Sequence, residues 1–216
     1  MQQEFLDAVT DLVMPLLTGA RVIVGIVGPP GAGKSTLAEG VAARFDRLRG
    51  LPAADQHRAA VCVPMDGFHL SNMELGRLGL ADRKGAPETF DGWGFVHLLR
   101  RIHTAEELVY APVFNRVLNE SIGSALPIFP SVELVVVEGN YLLLAEDPWV
   151  RARSLYDLTI YLDVPDDVRL PRLVGRQRAR GLDASAALDW VRRSDEANAR
   201  LIVTTRGYAD VVLPRD

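Results

Sequence analysis

Apolar positions along the chain alternate between two periods. Over residues 2–17, Phe5, Leu6, Val9, Leu12, Val13, Leu16 and Leu17 recur at helical spacing, and Gly19 supplies a stop. Residues 21–27 form a β-branched run with almost no polar side chain, the pattern of a strand covered on both faces. After a Gly/Pro turn the helical period returns over about 34–49. Shorter apolar runs at 59–63, closed by Pro64, and at 132–137, 158–162 and 210–213 predict four more strands. Helices are predicted over 95–103, about 165–179 and 184–205. Two stretches, 67–93 and 110–130, break into Gly, Pro and charge and read as irregular.

Strands separated by helical segments imply parallel pairing through right-handed crossovers, with helices on both faces of the sheet. The expectation is therefore an α/β fold of three layers around a mainly parallel five-stranded sheet. No repeat, low-complexity stretch or linker divides the chain, so residues 1–216 read as one domain. Both irregular stretches leave from the carboxyl ends of predicted strands, where such sheets bind ligands.

Composition narrows the functional classes. Lys and Arg number 24 against 28 Asp and Glu, a net charge of −4, which argues against general nucleic-acid affinity. No apolar run approaches the ~20 residues of a membrane helix. Glu4, Asp7 and Asp11 stand where a signal peptide would be basic. The lone Cys62 forbids an internal disulfide, and four scattered His offer no zinc spacing. These features predict a cytoplasmic protein without nucleic-acid or membrane partners, and they leave a homodimer open. Only Lys34 and Lys84 among the 24 basic residues are Lys.

One of those two lysines sits in the most informative motif. Gly28-Pro29-Pro30-Gly31-Ala32-Gly33-Lys34-Ser35, followed by Thr36, matches G-x-x-x-x-G-K-[ST] directly after a strand and at the start of a helix. With 18 Gly, 2 Lys and 16 Ser plus Thr in the chain, chance predicts about 0.001 such matches. Glycines let backbone N–H groups turn toward phosphates, and the helix N-terminus adds partial positive charge. Lys34 would span the terminal phosphates and Ser35 would ligate Mg²⁺, so ATP and Mg²⁺ are the expected cofactors.

Two carboxylates lie on the same predicted sheet edge. Asp66 follows the second strand, where a general base must stand to take a hydroxyl proton from an acceptor facing the γ-phosphate. A lone Asp before Gly also reads as a turn residue. Glu138 ends the third strand after four apolar residues, the Walker B position, with Mg²⁺ or its water shell as its task.

The chain is similar in five ordered motifs to a family of small kinases. Met65-Asp-Gly-Phe-His69, Arg83-Lys-Gly-Ala-Pro-Glu-Thr-Phe-Asp91, Tyr110-Ala-Pro-Val-Phe-Asn-Arg116, Glu138-Gly-Asn-Tyr-Leu-Leu143 and Asp195-Glu-Ala-Asn198 resemble the uridine kinase, pantothenate kinase and phosphoribulokinase superfamily of P-loop kinases. The resemblance is nearest to the bacterial branch often labelled nucleoside/nucleotide kinase or fructose transport system kinase. It implies the P-loop NTPase fold, Asp66 as catalytic base, Lys34 and Ser35 serving ATP and Mg²⁺, and Glu138 as the Walker B acid. It also implies that the Asp66–His69 stretch, Glu88 to Asp91 and Tyr110 to Arg116 line an acceptor pocket. Read from their chemistry, Arg83, Lys84 and Arg116 could grip a carboxylate or phosphate, and Asp66, His69 and Asp91 could bind hydroxyls. The remaining pocket candidates are Phe90, Tyr110 and Phe114.

A basic segment completes the set. Arg169, Arg172 and Arg176 stand three and four apart on one helical face, and the resemblance makes residues 166–182 a lid whose arginines meet phosphates. Arg172 and Arg176 are the favoured pair. Pro171 inside the segment suits a hinge, and Gln177 stands where members of the branch often carry His. Asn198 is a further candidate near acceptor or nucleotide, on a helix with Leu188, Val191 and Leu201 on its core face. Trp93, Trp149 and Trp190 read as packing residues.

The reading is an ATP- and Mg²⁺-dependent kinase acting on a hydroxyl of a small metabolite: a sugar, a nucleoside or a pantothenate-like alcohol. A GTPase would need Asn-Lys-x-Asp, yet neither Lys follows an Asn. It would also leave Asp66 and the acceptor loops without work, and the intact set Lys34, Ser35, Asp66 and Glu138 speaks against a regulator that binds ATP without transfer.

Overall fold

The computed structural model describes residues 2–52 and 58–214. In chain order the strands are β1 (Val22–Val27), β2 (Ala60–Pro64), β3 (Val109–Asn115), β4 (Glu120–Ile128), β5 (Leu134–Gly139), β6 (Leu158–Asp163) and β7 (Val211–Pro214). Helices are α1 (Gln2–Val13), α2 (Lys34–Leu48), α3 (Asn72–Leu78), α4 (Gly92–Thr104), α5 (Asp166–Ala179), α6 (Ala184–Trp190) and α7 (Glu196–Val203). Five strands form a parallel sheet in the order β2-β5-β1-β6-β7, and β3 pairs antiparallel with β4. The expected five-stranded α/β architecture is therefore the one observed.

Every residue of β1 and β5 is buried, because each strand alternates its side chains between two apolar layers. Ile23 and Val27 join Val135 and Val137 under α4, with Phe95, Leu99 and Trp149. Val22, Val24 and Ile26 join Leu134 and Val136 under α1 and α2, with Val9, Leu37, Val41 and Phe45. Each such side chain contributes roughly 1.5–3 kcal/mol of burial.

Register positions the chemistry. Ile26 stands beside Glu138 across the β1–β5 ladder, and Pro64 stands beside Glu138 across the β2–β5 ladder. Three strand ends are thus level on one edge. The turn after β1, the acid ending β5 and the turn after β2 all open at that edge.

The irregular stretches contain structure that apolar spacing does not report. Residues 110–130 are chiefly the β3–β4 hairpin, whose outer parts are half-exposed and whose register shifts between Ala111 and Val113. Residues 67–93 include α3, of which only Leu75 is buried. The expected helix 184–205 is broken into α6 and α7 by a π turn, Val191–Asp195. The core face carries Ala187, Val191, Asp195, Ala199 and Ile202, three and four residues apart, while Leu188 and Leu201 are exposed, contrary to the expected face; at about 3.6 residues per turn the two leucines do not share one face. Of the three tryptophans only Trp149 is buried; Trp93 and Trp190 are partly exposed. Among the described residues, no helix is long and apolar enough to cross a membrane.

Candidate active site

β1 runs directly into the turn Gly28–Gly33, where Gly28, Gly31 and Gly33 hold φ of +155°, +82° and +87°. Side chains other than glycine's rarely tolerate these values, and the resulting curl presents backbone N–H groups around a small concavity. Gly31 is constrained twice: a Cβ there would lie 2.9 Å from the Arg169 carbonyl oxygen and 3.1 Å from Leu173 Cγ. Helix α5 therefore sits immediately on the loop.

Lys34 opens α2 and is only 8% exposed. Its Nζ donates to the Gly28 and Pro29 carbonyls at 2.8 and 3.1 Å. Burial pushes the ammonium down to about 8, against the opposing pull of Glu138 and Asp66. Ser35 Oγ donates to Glu138 Oε1 at 3.0 Å. Burial raises the Glu138 carboxyl above its ordinary value, with the Lys34 charge and the Ser35 hydrogen bond pulling the other way.

Asp66 lies in the one-turn helix Met65–Phe68 just beyond β2, and the Arg116 guanidinium approaches its Oδ2 to 3.8 Å. His69 Nδ1 stands 2.8 Å from the Asp66 carbonyl oxygen, so that nitrogen is the donor and Nε2 is free to accept. The ring is packed 4.0 Å from Phe90 and 4.7 Å from Phe114, and this burial lowers its pKa. Hairpin and loop meet through Lys84, whose Nζ donates to Asn72 Oδ1 at 2.5 Å and to the Asn119 carbonyl at 2.6 Å, 5.3 Å from the Phe114 ring centre.

These groups border one cavity of about 670 Å³. Of the residues singled out in the sequence, Pro30, Gly31, Gly33, Lys34, Ser35, Thr36, Asp66, His69, Lys84, Phe90, Phe114, Arg116, Glu138, Arg172 and Arg176 line it. Gly28, Pro29 and Ala32 complete the loop behind. Arg172 Nη1 donates to the Gly31 carbonyl at 3.3 Å, and Arg176 Nη2 donates to Asp195 Oδ1 at 3.0 Å. Arg169, by contrast, is buried in ion pairs with Asp166 and Glu196.

Three candidates lie outside the cavity wall. Arg83 pairs with Glu88 at 2.6 Å. Asp91 is spent on capping α4, its Oδ1 accepting from the Gly94 N–H at 2.8 Å. Tyr110 stands on the exposed side of β3, between buried Val109 and Ala111. Conversely Asn72, Asn119, Arg180, Trp190 and Asp195 reach the cavity without having been singled out as site residues. Asn72 was discoverable: Ser71 and Glu74 have capping-box spacing, and Ser71 Oγ does accept from the Glu74 N–H. Asn198 lines the cavity as well, its Nδ2 donating to the Gly85 carbonyl at 3.3 Å.

Residues 23–216 match the model of the phosphoribulokinase / uridine kinase family. The chain belongs to that family. It is a kinase. A crystal structure named "putative fructose transport system kinase", from Silicibacter sp. TM1040, superposes with a TM-score of 0.86 at 39% identity, covering 97% of this chain and 98% of that one. A Schizosaccharomyces pombe protein named "putative uridine kinase" is 33% identical over 202 residues, 89% of this chain and 83% of that protein. The pantothenate kinase of Mycolicibacterium vanbaalenii is 30% identical over 141 residues, 65% of this chain and 43% of that protein. The kinase is thus similar to proteins that carry three different kinase names.

Proposed function

We propose that this kinase transfers the γ-phosphate of ATP to a hydroxyl of a small metabolite, a sugar such as fructose or a nucleoside, within a single domain whose residues 166–182 act as a lid. The observation that carries the reading is the cavity itself. It is bordered on one side by Lys34, Ser35 and the lid arginines, and on the other by Asp66, His69 and Arg116. A phosphate cradle and a general base facing one space are what transfer to a hydroxyl requires. A GTPase or motor would have no use for the second half.

Asp66 accepts the acceptor's hydroxyl proton as the oxygen attacks, and Arg116 orients that carboxylate from 3.8 Å. His69, neutral through burial, offers Nε2 to a second hydroxyl. Lys34, Arg172 and Arg176 stabilise charge developing on the terminal phosphate oxygens, and α5 excludes water from above the loop. Ser35 Oγ and Glu138 Oε1, hard oxygens 3.0 Å apart, fit a Mg²⁺ held mostly by phosphate and water. Among the described residues no cluster of three His, Cys, Asp or Glu offers an all-protein metal cage, and such a Mg²⁺ needs none. Bound there, Mg²⁺ would neutralise phosphate charge.

The test is ADP release from Mg-ATP over a panel of sugars, nucleosides, pantothenate and sugar phosphates, each beside a blank without acceptor. One class should rise above its blank, and Asp66→Asn should remove about 10²-fold or more of that rise. Turnover within a few-fold of wild type in Asp66→Asn would refute the base assignment, and a flat panel despite tight ATP binding would favour a regulator.

A further inference from the structure

Helix α6–α7 carries a buried charge that packing does not explain. Along its core face Ala187, Val191, Ala199 and Ile202 are apolar, and Asp195 interrupts them at 6% exposure. One of its carboxylate oxygens, Oδ1, accepts from Arg176 at 3.0 Å. The other, Oδ2, is buried with no hydrogen-bond partner among the described residues. A buried carboxylate with an unpaired oxygen is a cost to the fold, and an apolar side chain would continue the face without it.

What this cost maintains is the direction of one arginine. Arg176 is 41% exposed and lines the cavity, and its charge is felt at Lys34, which it helps to depress. Free in solvent, so long a side chain samples many rotamers, and fixing it at the moment of reaction costs entropy. Asp195 fixes it beforehand. Asp195 ends the π turn Val191–Asp195 and stands four residues after Val191 on the core face, beside the lid helix α5 that carries Arg176.

We infer that Asp195 is a positioning residue that holds Arg176 toward the terminal phosphate and so discriminates a nucleoside triphosphate from the diphosphate. This rests on the reading of Arg176 as a phosphate arginine. A second ion pair, Arg169 with Glu196 at 2.5 Å, ties α5 to α7 away from the cavity and can carry the structural attachment of the lid without Asp195.

The experiment measures binding, independently of any acceptor. Calorimetry with Mg²⁺ present compares the non-hydrolysable ATP analogue AMP-PNP with ADP on wild type, Asp195→Asn, Arg176→Ala and the double variant. Asp195→Asn should weaken AMP-PNP by about tenfold and leave ADP within twofold, since only the terminal phosphate loses its oriented charge. In the Arg176→Ala background the same change should cost less than twofold. The empty Asp195→Asn protein should melt no lower than wild type, because a buried, half-satisfied charge has been removed. Equal loss for both nucleotides, unchanged AMP-PNP affinity, additive effects in the double variant, or a lowered Tm would each overturn the assignment. Failure of the kinase reading would look different: wild type would bind neither nucleotide, and this inference would fall with it.

Discussion

Ser35 Oγ donates to Glu138 Oε1 across 3.0 Å, joining the first turn of α2 to the end of β5. The contact exists because β1 and β5 are adjacent and in register, Ile26 beside Glu138. A hydroxyl and a carboxylate from two elements are thereby held as one oxygen pair. Glu138 is buried, and its burial disfavours the ionised form. A cation arriving there would reverse that preference.

Glu138→Gln keeps the shape and removes the charge. Activity should fall by about 10–100-fold, with the Mg²⁺ concentration for half-maximal ADP release rising in parallel. The sign on stability is opposite. A carboxyl whose folded pKa is raised costs stability once pH exceeds its unfolded value near 4.3, so the empty Gln variant should melt at or above wild type at pH 7. Mg²⁺ titrations and thermal melts on one preparation check both, and a variant with wild-type Mg²⁺ dependence would remove Glu138 from the metal site.

Lys34 supplies a pH test. Its folded pKa is lowered by burial to about 8, below the ~10.4 of an unfolded chain. The charged form is therefore disfavoured in the empty protein, a cost present in full below pH 8 and relieved between 8 and about 10.4. A bound triphosphate favours the charge and raises the pKa again. ATP affinity should be flat below pH 8 and then fall, by up to about tenfold per unit, as pH rises above 8. Calorimetry at pH 8.5 in two buffers of different ionisation heat should detect proton uptake on binding, and none in Lys34→Met.

The parallel sheet was legible because strands covered on both faces must be apolar throughout, and residues 22–27 and 134–137 contain little else. The turn after β1, the proposed phosphate cradle, was legible because its glycines are required by local geometry alone. The proposed acceptor wall was not. The hairpin has one buried end and a half-exposed remainder facing the cavity, so neither alternation nor a continuous run marks it. Asp195 escaped for a different reason: a charged residue on a core face leaves no apolar signal, and Leu188 and Leu201, both exposed, drew the expected face away from it. Asp91 shows the converse, a polar residue in a family motif whose side chain caps a helix.

Gly67 offers a way to disturb the proposed acceptor side. It lies between Asp66 and Phe68, and a Cβ there would stand 2.2 Å from the Pro112 carbonyl oxygen and 2.7 Å from its carbon. Both are backbone atoms of β3, so the collision cannot be relieved by a rotamer, and the hairpin must move as a body. Phe114 and Arg116, two and four residues further on, would leave their places opposite His69 and Asp66. Gly67→Ala should cost about 1–3 kcal/mol of stability through overpacking, read as a fall of several degrees in Tm. Acceptor KM should rise and kcat fall, whereas AMP-PNP affinity should stay within about twofold, because the loop after β1 is braced by α5, whose Arg169 and Leu173 lie against Gly31. Equal losses of nucleotide and acceptor binding would mean that the two halves of the cavity are not held independently.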